Sequence, residues 1–178
     1  MAVGHNISPY VTIYNTADWS KIANPAVLPT GSGRGVAFSP DGSKLAVTDE
    51  GSRRITIYNT ADWSKIADPA VLPTGQGYDV AFSPDGSKLA VGHTTSPYVT
   101  IYNTADWSKI TDPAVLPTGT VLGVAFSPDG SKLAVGRLNS PYVTIYNTAD
   151  WSKITDPAVL PTGPGWGVAF IPQTDKWA

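Results

Sequence analysis

Apolar residues along this chain fall in short runs that alternate with polar ones or stand in blocks of about three, never at the 3.6-residue spacing of a helix face. Asp79-Val80-Ala81-Phe82-Ser83 reads as a short buried strand, and Pro84-Asp85-Gly86-Ser87 carries the Pro and Gly chemistry of a tight turn. Lys88-Leu89-Ala90-Val91 is then the return strand of a hairpin. Tyr98-Val99-Thr100-Ile101-Tyr102 alternates apolar and polar residues with β-branched enrichment, which predicts a third strand. After a connection through Trp107, Pro113-Ala114-Val115-Leu116-Pro117 is expected to be a fourth strand at the outer edge, where a missing N–H costs no ladder bond. Prolines recurring every few positions argue against helix throughout.

The same runs return at a fixed step. Tyr-Asn-Thr-Ala-Asp-Trp-Ser-Lys-Ile begins unchanged at Tyr14, Tyr58, Tyr102 and Tyr146, a spacing of 44 residues each time, and four such steps account for nearly all of the 178-residue chain. Residues 1–178 therefore read as one array with no second domain. A single small sheet cannot bury both of its faces, so each repeat is expected to stack against its neighbours.

Gly35-Val36-Ala37-Phe38-Ser39-Pro40-Asp41-Gly42-Ser43-Lys44-Leu45-Ala46-Val47 resembles the first hairpin of a WD-repeat-type propeller blade, and the resemblance recurs in every copy. It departs from that family where Tyr58-Asn59 stands in place of Trp-Asp and Pro73-Thr74-Gly75 in place of Gly-His. The family's buried Asp-His-Ser-Trp hydrogen-bond set is therefore not carried over. The whole array is similar to the near-identical-blade propellers of bacterial and phage proteins. That resemblance implies an all-β fold, a β-propeller of four-stranded antiparallel blades with four blades per chain. Near-identical copies and a start inside a blade also suit a fragment or an engineered protein.

Ala2-Val3 matches Ala46-Val47, a second strand without a first, whereas Gly167-Val168-Ala169-Phe170 is a first strand with no complete blade after it. Pairing of these amino- and carboxy-terminal strands is expected to close a ring and remove two exposed edges. Ile171, Gln173, Thr174 and Asp175 replace Ser39, Asp41, Gly42 and Ser43, which marks an array terminus. Sheets about 10 Å apart, with strands about 4.8 Å apart inside each, place about eight sheets around the mid-blade circumference. The small side chains of the first strands would leave gaps between only four. The expected assembly is thus a homodimer forming an eight-bladed ring, with a four-bladed monomer as the alternative.

Composition narrows the partners. A formal charge of −2 and a pI near 5.5 argue against nucleic-acid and anionic-membrane surfaces, which need concentrated Lys and Arg. No apolar stretch approaches the roughly 20 residues of a membrane span, and Met1-Ala2-Val3-Gly4-His5 lacks the basic start and apolar core of a signal peptide. Cysteine is absent, so disulfides and Cys-based metal sites are not available and the compartment is left open. No cofactor is implied.

Differences between the copies mark candidate functional positions. They cluster first around Arg34, Tyr78, Leu122 and Trp166, at the loop between blades, and second around His5, Asp49 with Glu50, His93 and Arg137, at the loop after the second strand. In an antiparallel meander both loops emerge at one end. Arg, Tyr and Trp are common anchors of binding surfaces, and loops on a rigid scaffold commonly display them. The function expected is a non-catalytic binding scaffold for protein or glycan recognition; the alternative is a purely structural array whose loops have drifted. Trp19, Trp63, Trp107 and Trp151 suit blade packing better than a sugar-stacking ring. Asp41, Asp85 and Asp129 suit turns better than a cation ring. His5 and His93 lack further ligands beyond Asp49 and Glu50 for a metal. Gly31-Ser32-Gly33-Arg34-Gly35 leads into a strand, not a phosphate-binding helix, and Asn6-Ile7-Ser8 fits a glycosylation acceptor. No nucleophile stands in a motif with a base, and the innermost strands read as free of acid, base or thiol, so no enzyme is expected.

Overall fold

The computed structural model describes residues 1–171; Gln173, Thr174 and Asp175 lie outside the described residues. Among the described residues the regular structure is entirely β, with no helix. The strands are β1 (Ala2–Gly4), β2 (Val11–Ile13), β3 (Gly33–Phe38), β4 (Lys44–Asp49), β5 (Ile55–Asn59), β6 (Gly77–Phe82), β7 (Lys88–His93), β8 (Val99–Asn103), β9 (Val121–Phe126), β10 (Lys132–Arg137) and β11 (Val143–Asn147). They form one two-stranded sheet, β1-β2, and three three-stranded meanders, β3-β4-β5, β6-β7-β8 and β9-β10-β11, all antiparallel.

Each hairpin is set by its Ser-Pro-Asp-Gly-Ser turn. Asp85 Oδ1 accepts from Ser83 Oγ at 2.5 Å and from the Ser87 amide at 3.0 Å, while Gly86 takes φ +71°, a left-handed conformation that a side chain would strain. Gly42 and Gly130 repeat that dihedral, so all three turns have one geometry.

Sheets stack so that each apolar cluster lies between neighbours. Ala46, Ile55 and Ile57 form the trailing face of one sheet and pack on Val80, Leu89, Val91 and Tyr102, the leading face of the next, with Trp107 against the cluster. The same division holds one step earlier, where Val11 and Ile13 meet Leu45, Val47 and Tyr58, and one step later, where Ala90, Val99 and Ile101 meet Val124, Leu133, Val135 and Tyr146. Burying each such side chain stabilises by roughly 1.5–3 kcal/mol, so a sheet without its neighbours loses most of its support. β3, β6 and β9 lie at sheet edges and adjoin one another, which makes them the inner strands of the stack.

The fourth strand expected at Pro-Ala-Val-Leu-Pro does not form. After the Asp62-Trp63 turn, where Ser64 N donates to Asp62 Oδ1 at 2.9 Å, the chain makes only one bridge, Tyr58 to Lys65, before leaving the sheet. Pro69 and Pro73 cannot donate to a ladder. The segment instead crosses to the next sheet, held there by a buried tyrosine: the hydroxyls of Tyr58, Tyr102 and Tyr146 donate to the carbonyls of Val27, Val71 and Val115, each at 2.8 Å. Blades are thus three-stranded, each with a single-residue bridge outside it.

Nor do the terminal strands close a ring within one chain. Among the described residues β1 pairs only with β2, and Gly167-Val168-Ala169-Phe170 is not in a sheet. That segment follows the last blade: Gly165 N donates to Arg137 O at 3.0 Å, and a Cβ on Gly136 would lie 3.0 Å from Val168 Cγ1. Val3 stays 43% exposed, whereas its equivalents Val47, Val91 and Val135 are fully buried. The separation follows from the stacking order, which places the two segments at opposite ends of the array.

Replacing Tyr102 with Phe deletes one cross-blade hydrogen bond and leaves the Val71 carbonyl unmatched. The expected cost is about 1 kcal/mol, read from urea unfolding. An unchanged midpoint would show that the tether contributes nothing.

Candidate functional site

The two variable loops meet at one end of the sheets. Gly33 pairs with Asp49, Gly77 with His93 and Val121 with Arg137, and just beyond these pairs Glu50 N, Thr94 N and Leu138 N donate to the carbonyls of Ser32, Gln76 and Thr120. The hairpin turns occupy the opposite end. Variation between copies is therefore concentrated at one end of the sheets.

Four of the expected positions mark one step at that end. Arg34 on β3, Tyr78 on β6 and Leu122 on β9 each follow the strand's opening residue, and Trp166 holds the same place in the segment after the last blade. Arg34 is exposed and donates through Nε to Glu50 Oε1 at 2.9 Å, with Nη2 on the same oxygen. Its guanidinium lies 5.3 Å from the centroid of the Tyr78 ring, a cation–π contact across the blade boundary. Leu122 is buried and does not present its side chain on the surface as expected, whereas Trp166 is 70% exposed. Arg34, Glu50 and Tyr78 thus form one cluster.

Asp49, His93 and Arg137 do not reach that surface. They close β4, β7 and β10, the middle strands of their sheets, and are buried by the strands on either side and by the incoming connection. Asp49 Oδ1 accepts from Thr30 Oγ1 at 3.1 Å and from the Gly51 amide at 2.7 Å; Arg137 Nη1 donates to Thr118 Oγ1. His93 Nε2 lies 2.9 Å from Thr100 Oγ1, and half-buried His5 makes the same 2.9 Å contact with Thr12. Where the slot holds Asp or Arg, the corresponding Thr56 and Thr144 hydroxyls are left without partners. Variation here tunes a buried polar slot, which corrects the reading of Asp49, His93 and Arg137 as loop residues. Burial pushes the Asp49 carboxyl up, lowers the Arg137 guanidinium and brings the His93 imidazole down to about 4.

Asp79 is the acid that the expectation of neutral inner strands missed. Its Oδ2 accepts from the Val124 amide of the next blade at 2.9 Å, and burial pushes its carboxyl up. The signal was legible: Gly35, Gly123 and Gly167 hold this position in the other copies. Its bond joins two inner strands, so its observed work is bracing.

At the hairpin end, grooves between adjacent blades enclose about 540 Å³ beside Asp41, Lys44, Phe82 and Asp85, and about 340 Å³ beside Asp85, Lys88 and Asp129. The carboxylates there are already engaged. Serine hydroxyls of Ser39, Ser83 and Ser127 hold Asp41, Asp85 and Asp129 well below the usual carboxylate range. Among the described residues no three His, Cys, Asp or Glu side chains are grouped as metal donors. Trp63, Trp107 and Trp151 pack on the inter-blade clusters, while Trp19, with no sheet before it, is 62% exposed.

No protein-family model matches the chain, and no curated protein matches it. Solved structures share its fold. It is similar to hydrazine synthase of Kuenenia stuttgartiensis, with TM-score 0.69 and 18% identity over 84% of this chain and 43% of that one. It is also similar to the RRP9 WD40 repeats, with TM-score 0.60 and 19% identity over 69% of this chain and 37% of that one. The chain spans less than half the length of either. At these identities the likeness concerns the blade architecture alone.

His93 yields a test of the buried slot. Its folded pKa of about 4 lies below the unfolded value of 6.5, so its contribution is intact above pH 6.5 and is lost as pH falls toward 4, by roughly 3 kcal/mol at the acid limit. Urea unfolding across that window should show a steeper acid loss for the parent than for His93→Gln. Parallel curves would place the imidazole in contact with water.

Proposed function

We propose that this chain is a non-catalytic recognition platform whose variable end binds a protein surface. The carrying observation is the pair Arg34 and Tyr78, mounted on two inner strands and joined across their boundary at 5.3 Å, with Glu50, just beyond β4, bonded to Arg34. Arg and aromatic side chains on rigid strands lose little conformational freedom on binding and supply most of the energy at interface centres. Trp166 adds a large exposed apolar surface at the same step, and Leu122 provides an apolar floor between them. Glu50 offsets the Arg34 charge, so the cluster suits a mixed polar and apolar epitope better than a polyanion.

A purely structural array is the rival reading. It is favoured by the engagement of Arg34 with Glu50 and by the burial of Asp49, His93 and Arg137. Screening the parent chain and its Arg34→Ala, Tyr78→Ala and Trp166→Ala variants on protein and glycan arrays separates the two. The recognition reading expects protein-array binding that weakens at least tenfold in these variants. Signals confined to glycans would change the ligand class, whereas no binding, or binding indifferent to all three changes, would leave the structural array.

A further inference from the structure

We infer that two copies of this chain join head to tail through the open faces of the stack, forming one ring of about eight sheets. This goes beyond the recognition reading and does not depend on any ligand.

Among the described residues two faces lack the neighbour that every internal face has. The leading face of the first sheet presents Met1, Val3, Tyr14 and Trp19, the equivalents of Leu45, Val47, Tyr58 and Trp63, which all pack on a preceding sheet. Met1, Val3 and Trp19 are exposed instead. At the other end, Pro157 and Pro161 are exposed although Pro25, Pro29, Pro69, Pro73, Pro113 and Pro117 are buried. Val159 is 87% exposed, against 40% for Val27, 50% for Val71 and 53% for Val115. Among the described residues the tail thus displays a crossing segment and Gly167–Phe170, the counterpart of an inner strand, with no sheet to receive them, and the head displays a sheet that lacks both.

The internal joints specify the contacts. Val36, Ala37 and Phe38 pair with Val47, Ala46 and Leu45, so Val168, Ala169 and Phe170 are set to pair with the partner's Val3, the partner's Ala2 and the partner's Met1. Three internal tyrosines reach a valine carbonyl 31 positions earlier in the chain, and the same relation directs the partner's Tyr14 to the Val159 carbonyl. Arg34 sits over Tyr78 of the following blade, and that step brings Trp166 beside the partner's Arg34. Each copy therefore completes the other's variable rim. A joint of this kind is head to tail and closes when its repeat matches the circumference, which at about eight sheets takes two chains of four.

Light scattering of the parent at 10 µM should give twice the 18.7 kDa chain mass. Val168→Asp alters the tail strand, and Val3→Asp alters a residue that the single chain leaves exposed, so the latter retains its fold. Both variants should shift to the single-chain mass, with the β-type circular dichroism of Val3→Asp unchanged. A parent of single-chain mass, a larger or open-ended assembly, or a dimer untouched by both changes would overturn the inference. Mass is blind to ligands, so it can fail while the recognition reading stands, and the reverse.

Discussion

The apolar contact between the trailing face of one sheet and the leading face of the next is the interaction on which the rest of this structure depends. Ile55 and Ile57 on one side, and Val80, Leu89, Val91 and Tyr102 on the other, are buried by each other and not by their own sheets. A three-stranded meander has no interior of its own, so its stability is a property of the joint. The tyrosine one residue before the end of each complete third strand adds direction to this packing. Its ring fills the joint while its hydroxyl fixes the incoming crossing segment.

That constraint also governs where variation is tolerated. Residues that form the joints repeat almost unchanged, because altering one face would require a matching alteration in its neighbour. The Pro-Asp-Gly-Ser end is fixed by left-handed glycines and satisfied carboxylates. What remains free is the opposite end, and even there the buried slot of Asp49, His93 and Arg137 accepts different residues only with different hydrogen-bond partners. Arg34, Tyr78 and Trp166 are the positions where change meets solvent or an adjoining blade edge, and these are the residues proposed for recognition.

Much of this was legible in the sequence. The 44-residue step, the Pro-Asp-Gly turns and the alternation of Val99 through Tyr102 carry local signals that tertiary contacts did not override. The fourth strand was misread because β-propensity at Ala114-Val115-Leu116 says nothing about destination: flanking prolines removed the ladder, and the Tyr146 hydroxyl drew the segment to the next blade. Burial of His93 and Arg137 was hidden for a related reason. Polar residues at a strand end look like loop residues until the threonines that accommodate them are placed. Asp79 shows that a departure from glycine in one copy identifies an inter-blade brace, provided the comparison between copies reaches into the strands.

Hydrogen exchange on a joint variant tests the dependence of each sheet on its neighbour most directly. Leu89 is fully buried on the leading face of its sheet and packs toward Ile55 and Ile57 of the sheet before. In Leu89→Ala, exchange should accelerate in β6–β8 and also in β5, although β5 carries no substitution and belongs to another sheet. Acceleration confined to β6–β8, with β5 at its parent rate, would mean that each sheet stands alone and would contradict the account.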